Sequence, residues 1–321
     1  MLYHLLGKTG FEVSAMGLGC WNFGNQWKEM SDRDAEAIIK TSYENGVTLF
    51  DVADNYGQPN GTSELRLGKN IKGIRDDIII VSKIGHWGDR SGQPVPYTTP
   101  DMIRLCGHAS LGRLQTSHLD VELCHVMEIE DPSVFIEGFN ILQKEGFIRE
   151  YGISTDSLDV LKRFYEMSDG KCSVVEIEYS IANISAEREM LKYCEEKSLG
   201  VLVRGPLGQG IVSGKYDMDT VFTDSVRCNY NKGGRWRKKY EYQINIMDAL
   251  KKEFGPEKDY IRMALQYVIS HEIHPVAIPG ATGTAQAAGN AEAGNKYFTS
   301  SELSRIRGII HSCIQEDFRD E

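Results

Sequence analysis

Apolar positions recur along this chain in two alternating rhythms. Short continuous runs appear at "AMGLGC", "VTLFDV", "DIIIVS", "LDVELC", "YGIS", "SVVEIE", "GVLVR" and "PVAIPG". Runs of this length, bounded by turn residues, predict strands covered on both faces. Most intervals between them instead space their apolar residues three and four apart, as in "SDRDAEAIIKTSYENG" and "DPSVFIEGFNILQKEG". That spacing predicts helices. Gly46 and Gly146 stand just past the last apolar turn of these two segments and act as stop signals. Ser31 supplies an N-cap oxygen, and Asp131 followed by Pro132 predicts a start with proline at the first helical position. Ahead of all this, "LYHLL" and "FEVS" flank "GKTG" and read as a β-hairpin.

Strands alternating with helices imply a parallel sheet, and eight such units in 321 residues favour a closed (β/α)8 barrel. The expected architecture adds the N-terminal hairpin and a C-terminal helical tail from Thr299, where "SSELSRIRGIIHSCI" keeps helical spacing. The length suits one domain spanning 1–321, with two smaller domains as the other division it allows. An open doubly wound sheet is the competing architecture. It lacks its marker, because "GLGCWNFG" does not have G-x-G-x-x-G spacing. The stretch from Gly205 to Lys239 exceeds an ordinary connection and predicts a lid or binding loop.

Composition narrows the function classes. With 41% hydrophobic and 26% charged residues, the chain is that of a folded globular protein. A formal net charge of -10 argues against nucleic acid as a partner. The one basic cluster, "KGGRWRKK" at Lys232 to Lys239, reads as a solvated loop, given its glycine pair and lack of apolar periodicity. Seven scattered cysteines with no C-x-x-C pair read as reduced thiols in a cytoplasmic protein, and no metal site is expected. The N-terminal "MLYHLLGKTGFEVS" is interrupted before any signal-peptide core, and no apolar run approaches a membrane span. Secretion and membrane insertion are therefore not expected, while oligomeric state is left open.

In a barrel of this kind the loops after the strands form the active face. Asp51 closes the second run and Tyr56 follows it, Lys83 closes "IIIVSK", and His125 closes "LDVELCH". Taken singly, these four read as a helix cap, a loop aromatic, a surface charge and a core histidine. At the same ends of three consecutive strands they converge on one rim and predict a proton-transfer site. A free tyrosine titrates near 10, too high for catalysis at neutral pH. A neighbouring ammonium lowers that value, and a carboxylate holds the ammonium in place. Tyr56 would then exchange a proton with substrate while His125 orients the same oxygen.

These residues lie in a recognisable pattern. "FDVADNYGQPNGTSELRLGK" resembles the F-D-T-A-x-x-Y-G-x-S-E-x-x-L-G signature of the aldo-keto reductases, with Val52 where threonine is usual. "GFIREYGIST", "RGPLGQGIVSGKY" and "VAIPGATGTAQAAGN" resemble three further segments of that family in the same order. The resemblance implies a (β/α)8 barrel that binds an extended nicotinamide cofactor, with Asp51, Tyr56, Lys83 and His125 as the catalytic tetrad. It implies NAD(P)-dependent hydride transfer to or from an aldehyde, ketone or sugar, as a carbonyl reductase or alcohol dehydrogenase. Relatives that serve as cofactor-sensing subunits of membrane channels supply the alternative function.

The resemblance also assigns cofactor contacts. Ser154 and Thr155, with Glu176, would hold the nicotinamide carboxamide; threonine replaces a frequent asparagine and Glu176 a common glutamine. An ionised glutamate only accepts hydrogen bonds. Its other reading is an inward residue paired with a barrel lysine or arginine. Arg204 stands where many members stack an aromatic on the nicotinamide, so it would stack there or pair with Glu176. Gly205, Pro206 and Leu207 follow it in the post-strand loop, and Gly280, Thr282, Gln286 and Asn290 lie at the adenosine end. Since "PGATGTAQAAGN" contains no lysine or arginine, a free 2′-hydroxyl suits it better than a phosphate, which predicts NAD(H) over NADP(H). Arg235 or Arg237, reaching in from the basic loop, would reverse that preference. Trp21 and Trp87 are candidate substrate-pocket walls, as is Trp236, with core packing as their competing role.

Overall fold

The computed structural model describes residues 1–89 and 92–317. Strands β1 (Tyr3–Leu5) and β2 (Glu12–Ser14) form the expected antiparallel hairpin. The eight expected parallel strands follow. They are β3 (Leu18–Gly19), β4 (Leu49–Asp51), β5 (Ile79–Ile84), β6 (Leu119–Cys124), β7 (Ile148–Ser154), β8 (Val174–Glu178), β9 (Gly200–Arg204) and β10 (Val276–Ala277). They pair in sequence order, each parallel to the next. Bridges from Met16 to Ala277 and from Gly19 to Gly280 join the first strand to the last and close the barrel.

Helices α1 (Asp32–Glu44), α2 (Thr62–Asn70), α3 (Pro100–Leu114), α4 (Ser133–Lys144), α5 (Leu158–Met167) and α6 (Met190–Glu196) fill the intervals up to β9. Next come α7 (Arg237–Phe254), α8 (Tyr260–Ile269), α9 (Thr284–Ala293) and the tail helix α10 (Ser300–Asp317). The local signals work as read. Ser31 Oγ accepts from Asp34 N at 3.0 Å to cap α1, and Gly46 and Gly146 take φ of +87° and +81° just beyond α1 and α4, the left-handed turn that glycine enters without strain. One boundary differs: Pro132 occupies the cap position itself, and Asp131 Oδ1 accepts from Ser133 N at 3.0 Å.

Why the strands read as continuous apolar runs is visible in their two faces. Leu49, Val81, Val121, Leu123, Val174, Leu202, Val276 and Ile278 fill the barrel interior, joined from below by Leu6 and Val13 of the hairpin. Residues of the opposite face, such as Phe50, Ile80 and Ile153, pack on helix residues including Ile38, Phe139 and Phe164. Each such side chain contributes roughly 1.5–3 kcal/mol by leaving water.

The long segment after β9, expected as a lid or binding loop, carries a core of its own. Ile211, Phe222, Tyr230, Tyr240 and Ile244 form a separate small core, with Trp236 packed against Tyr230 at 5.7 Å between ring centroids. The "KGGRWRKK" stretch is a loop only in part, since Arg237, Lys238 and Lys239 open helix α7. Cations at a helix N-terminus oppose its dipole. Here Arg237 pairs with Glu241 at 2.6 Å, and Lys239 with Glu178 at 2.6 Å. Arg227 lies over both Phe222, at 4.8 Å, and Trp27, at 5.2 Å, tying this segment to the loop after β3. The tail helix packs as expected through buried Leu303, Ile306 and Ile310.

A second polar cluster lies behind β5 and β6. Glu64 accepts from Ser82 at 2.8 Å and from Arg113 at 2.5 Å. Nearby Glu122 is fully buried with neither carboxyl oxygen hydrogen-bonded. No disulfide forms among the described residues. None of their helices is long and apolar enough to cross a membrane.

Candidate active site

Strand alternation builds the site. Leu49, Val81, Leu123, Val174 and Leu202 point into the barrel. Side chains repeat their facing every two residues. Two positions on come Asp51, Lys83, His125, Glu176 and Arg204, which therefore form the next layer up, at the C-terminal mouth. The register is staggered, with Asp51 paired to Val81 and Lys83 to Leu123, so each polar residue lies two positions beyond its neighbour's partner, as the tilt of barrel strands requires. His125 N continues the ladder by donating to Ile84 O at 2.8 Å.

Lys83 is the centre of this layer. Its ammonium is wholly buried and donates to Asp51 Oδ1 at 2.5 Å, to Val52 O at 3.1 Å and to the Tyr56 hydroxyl at 3.4 Å. Glu176 Oε2 lies 3.1 Å away on the far side. The Tyr56 ring meets His125 edge-on at 5.9 Å, and His86 meets His125 edge-on at 4.9 Å. The four residues expected from the sequence are thus brought together. Glu176 takes the second of its two readings, pairing with a barrel lysine, and also accepts from Ser154 Oγ at 3.4 Å.

The charge states follow from burial and neighbours. Burial works against the Lys83 charge, but Asp51, Glu176 and Tyr56 outweigh it and hold the ammonium well above its ordinary value. Burial likewise pushes the Tyr56 phenol upward, and Lys83 only partly offsets burial, Asp51 and Glu176. The sequence argument expected the lysine to win; in this desolvated cluster the phenol stays protonated. Burial, then Lys83, His86 and Arg204, hold His125 far below the usual imidazole range, so it is neutral.

The remaining expected contacts are placed as follows. Thr155 is buried, and its hydroxyl is engaged within the fold, donating to Met127 O at 2.7 Å and accepting from Ser157 N at 3.1 Å. Arg204 does not pair with Glu176; it pairs closely with Asp156 and lies 3.8 Å from Glu178. Gly205 is exposed after it, with φ +64°, followed by buried Pro206 and half-buried Leu207. At the other end Gln286 Oε1 accepts from Thr282 N at 2.8 Å and Thr282 Oγ1 at 3.0 Å, and Asn290 Nδ2 donates to Gly280 O at 3.3 Å. Trp21 is half-buried, edge-on to Trp27 at 5.8 Å. Trp87 lies against the Arg113 guanidinium at 4.7 Å. Sequence reasoning missed Asp156, Glu178 and His86. His86 was within reach, three residues beyond Lys83; the two acids lacked any signal, because only the folded mouth brings them to Arg204.

A closed (β/α)8 barrel with a lysine-centred polar cluster at its C-terminal mouth is the class that fold and site define. The sequence model of the Aldo/keto reductase family matches residues 15–311, and the chain belongs to that family. Among solved structures it is similar to aldo-keto reductase AKR11C1 from Bacillus halodurans in its holo form, at 27% identity, 96% coverage of each chain and a TM-score of 0.79. A Klebsiella pneumoniae aldo/keto reductase in complex with NADP and acetate matches at 25% identity over 95% of this chain and 94% of that one, with a TM-score of 0.72. The NADH-specific methylglyoxal reductase of Escherichia coli is 26% identical over 331 residues, covering 96% of this chain and 98% of its own. The family is one of nicotinamide-dependent oxidoreductases.

The mouth fits such a cofactor. His125 Nδ1 and Arg204 Nε are buried there without hydrogen-bond partners, and Glu176 Oε2 is engaged by Lys83 alone. They offer both donors and acceptors to a polar ligand.

Proposed function

We propose that this protein is a cytoplasmic NAD(P)-dependent carbonyl reductase or alcohol dehydrogenase acting on a small aldehyde, ketone or sugar, with Tyr56 as general acid and base. The observation that carries the reading is the Tyr56 hydroxyl 3.4 Å from a buried, protonated Lys83, beside a neutral His125. A bound nicotinamide supplies or accepts the hydride. Ser154, Thr155, Glu176, Arg204, Gly205, Pro206 and Leu207 would hold its nicotinamide half, and Gly280, Thr282, Gln286 and Asn290 its adenosine half.

The chain's own groups then divide the work. His125, neutral and with Nδ1 unpartnered, hydrogen-bonds and orients the substrate oxygen. Tyr56 enters the reductive direction already protonated and gives its proton to the oxygen as negative charge develops there. In the oxidative direction it takes the proton back. Lys83 stabilises the phenolate that exists between those events. Trp21 and Trp87 stand in the loops after β3 and β5 as walls for the substrate.

NAD(H) is the favoured cofactor. The segment from Pro279 to Asn290 offers only neutral donors. Arg237 is held by Glu241 and by Met218 O at 2.9 Å, and Arg235 lies over Trp236 at 4.3 Å. A screen of aldehydes, keto sugars and sugar alcohols, in both directions and with both cofactors, tests the function. Turnover of at least one substrate class with loss in Tyr56→Phe is expected; no turnover on any of them, together with co-purification of a membrane protein, would overturn it.

A further inference from the structure

Each carbonyl reduction takes one proton from Tyr56, and the phenolate left behind must recover one from solvent before the next turnover. Two polar directions lead away from its hydroxyl. One runs to Lys83, which reaches onward to Asp51, Val52 O and Glu176, and from Glu176 to Ser154. Lys83 and Val52 are 0% exposed, Asp51 3%, and Glu176 and Ser154 1%, so that direction ends inside the barrel.

The other direction reaches the surface. The Tyr56 ring stands 5.9 Å from His125 between centroids, and His125 stands 4.9 Å from His86, both pairs edge-on. Rings at these separations are in contact. His86 is held in turn through Nδ1 by Asp89 Oδ2 at 2.7 Å. Exposure rises along this file, to 35% for the His86 side chain and 48% for that of Asp89. His125 is neutral and its Nδ1 has no partner within the fold. A neutral imidazole can take a proton on one nitrogen while releasing one from the other.

We propose that His86, backed by Asp89, is a proton relay that reloads Tyr56 from solvent through His125. The inference rests on the reading of Tyr56 as general acid above. A buffer acid or water gives its proton to His86, and the Asp89 carboxylate stabilises the imidazolium so formed. His86 then passes a proton to one nitrogen of His125 as the other nitrogen releases its own to the phenolate oxygen. One proton crosses from solvent to Tyr56, the conjugate base stays in solution, and no electrons change hands. His86 acts through His125 and is a positioning and relay residue, not one that touches substrate.

The test has two arms. In the first, solvent exchange of the His125 ring N–H is measured by NMR on the cofactor-free protein; His86→Ala should slow it roughly tenfold or more, and added imidazole should restore it. Unchanged or faster exchange overturns the relay. In the second, first and later turnovers are followed with NADH or NADPH and the best carbonyl of the screen above. The first turnover draws on a proton already in place, so His86→Ala should keep it within about threefold of wild type while slowing later ones roughly tenfold or more. Imidazole should rescue the later turnovers, and Asp89→Asn, which keeps the ring, should slow them by an intermediate amount. Later turnovers within about twofold of wild type overturn the relay. So does an equal loss in first and later turnovers without rescue, which would make His86 a support of the pocket alone. A wild type that reduces no carbonyl fails the reading of Tyr56 instead, and the exchange arm then decides the relay by itself.

Discussion

Lys83 on β5 and Glu176 on β8 meet at 3.1 Å across the mouth of the barrel, opposite the 2.5 Å contact between Lys83 and Asp51. The lysine is therefore held from two sides, and this decides what each substitution costs.

Lys83→Met should be the most destabilising change in the site. It leaves two buried carboxylates with no cation, a loss on the order of 3–5 kcal/mol. Asp51→Asn leaves Lys83 still paired with Glu176, so its cost should be well under half as large. The sequence alone predicts the reverse emphasis for Asp51, since it shows only one partner for the ammonium. Urea unfolding of both variants decides the order, and a costlier Asp51→Asn would show that Glu176 does not share the charge.

Tyr56→Phe should keep the fold, because the hydroxyl is removed from a ring whose packing is unchanged. Turnover should fall on the order of a hundredfold or more, while the cofactor dissociation constant moves less than about threefold. Retention of most activity would mean that another group transfers the proton.

The acids behind β5 and β6 make stability depend on pH. Burial, then Glu64, pushes the Asp54 carboxyl up to about 8, and burial, then Glu64 and Asp54, pushes Glu122 well above the carboxylate range. Both are then protonated in the folded state where the unfolded chain would ionise them. Their contribution is fully present below about pH 4, and it is lost as pH rises through the folded values. Glu122→Gln should therefore raise the melting temperature more at about pH 8 than at about pH 5. An equal shift at both values would mean that Glu122 does not titrate in this way.

The cofactor preference has its own measurement. Dissociation constants at one ionic strength should favour NAD(H) over its 2′-phosphorylated form. Tighter binding of the phosphorylated form would reverse the proposal, and its loss in Arg235→Ala or Arg237→Ala would locate the charge responsible.

Much of this molecule is legible in its sequence, for a physical reason. Barrel strands buried on both faces must be apolar throughout, so a polar residue at the end of such a run stands out. Asp51, Lys83 and His125 each follow an interior residue by two positions, and that spacing alone puts them in one layer. What the sequence does not show is pairing between elements far apart in the chain. Arg204 has its partner in Asp156, 48 residues earlier, and Glu176 finds Lys83 across the barrel. The post-β9 segment hides its order in the same way, since Phe222, Tyr230 and Tyr240 are too irregularly spaced to announce a core.

Leu6 and Val13 of the hairpin, together with the interior strand residues above them, leave the barrel stoppered at its lower end. Such a vessel is a cul-de-sac, and everything that reaches the layer of Lys83 passes through one doorway. Two ligands that occupy a blind socket together must depart in the reverse of the order in which they came. Product-inhibition patterns should therefore show a compulsory sequence of binding and release, and a random-order pattern would mean that the doorway is wide enough for both to pass.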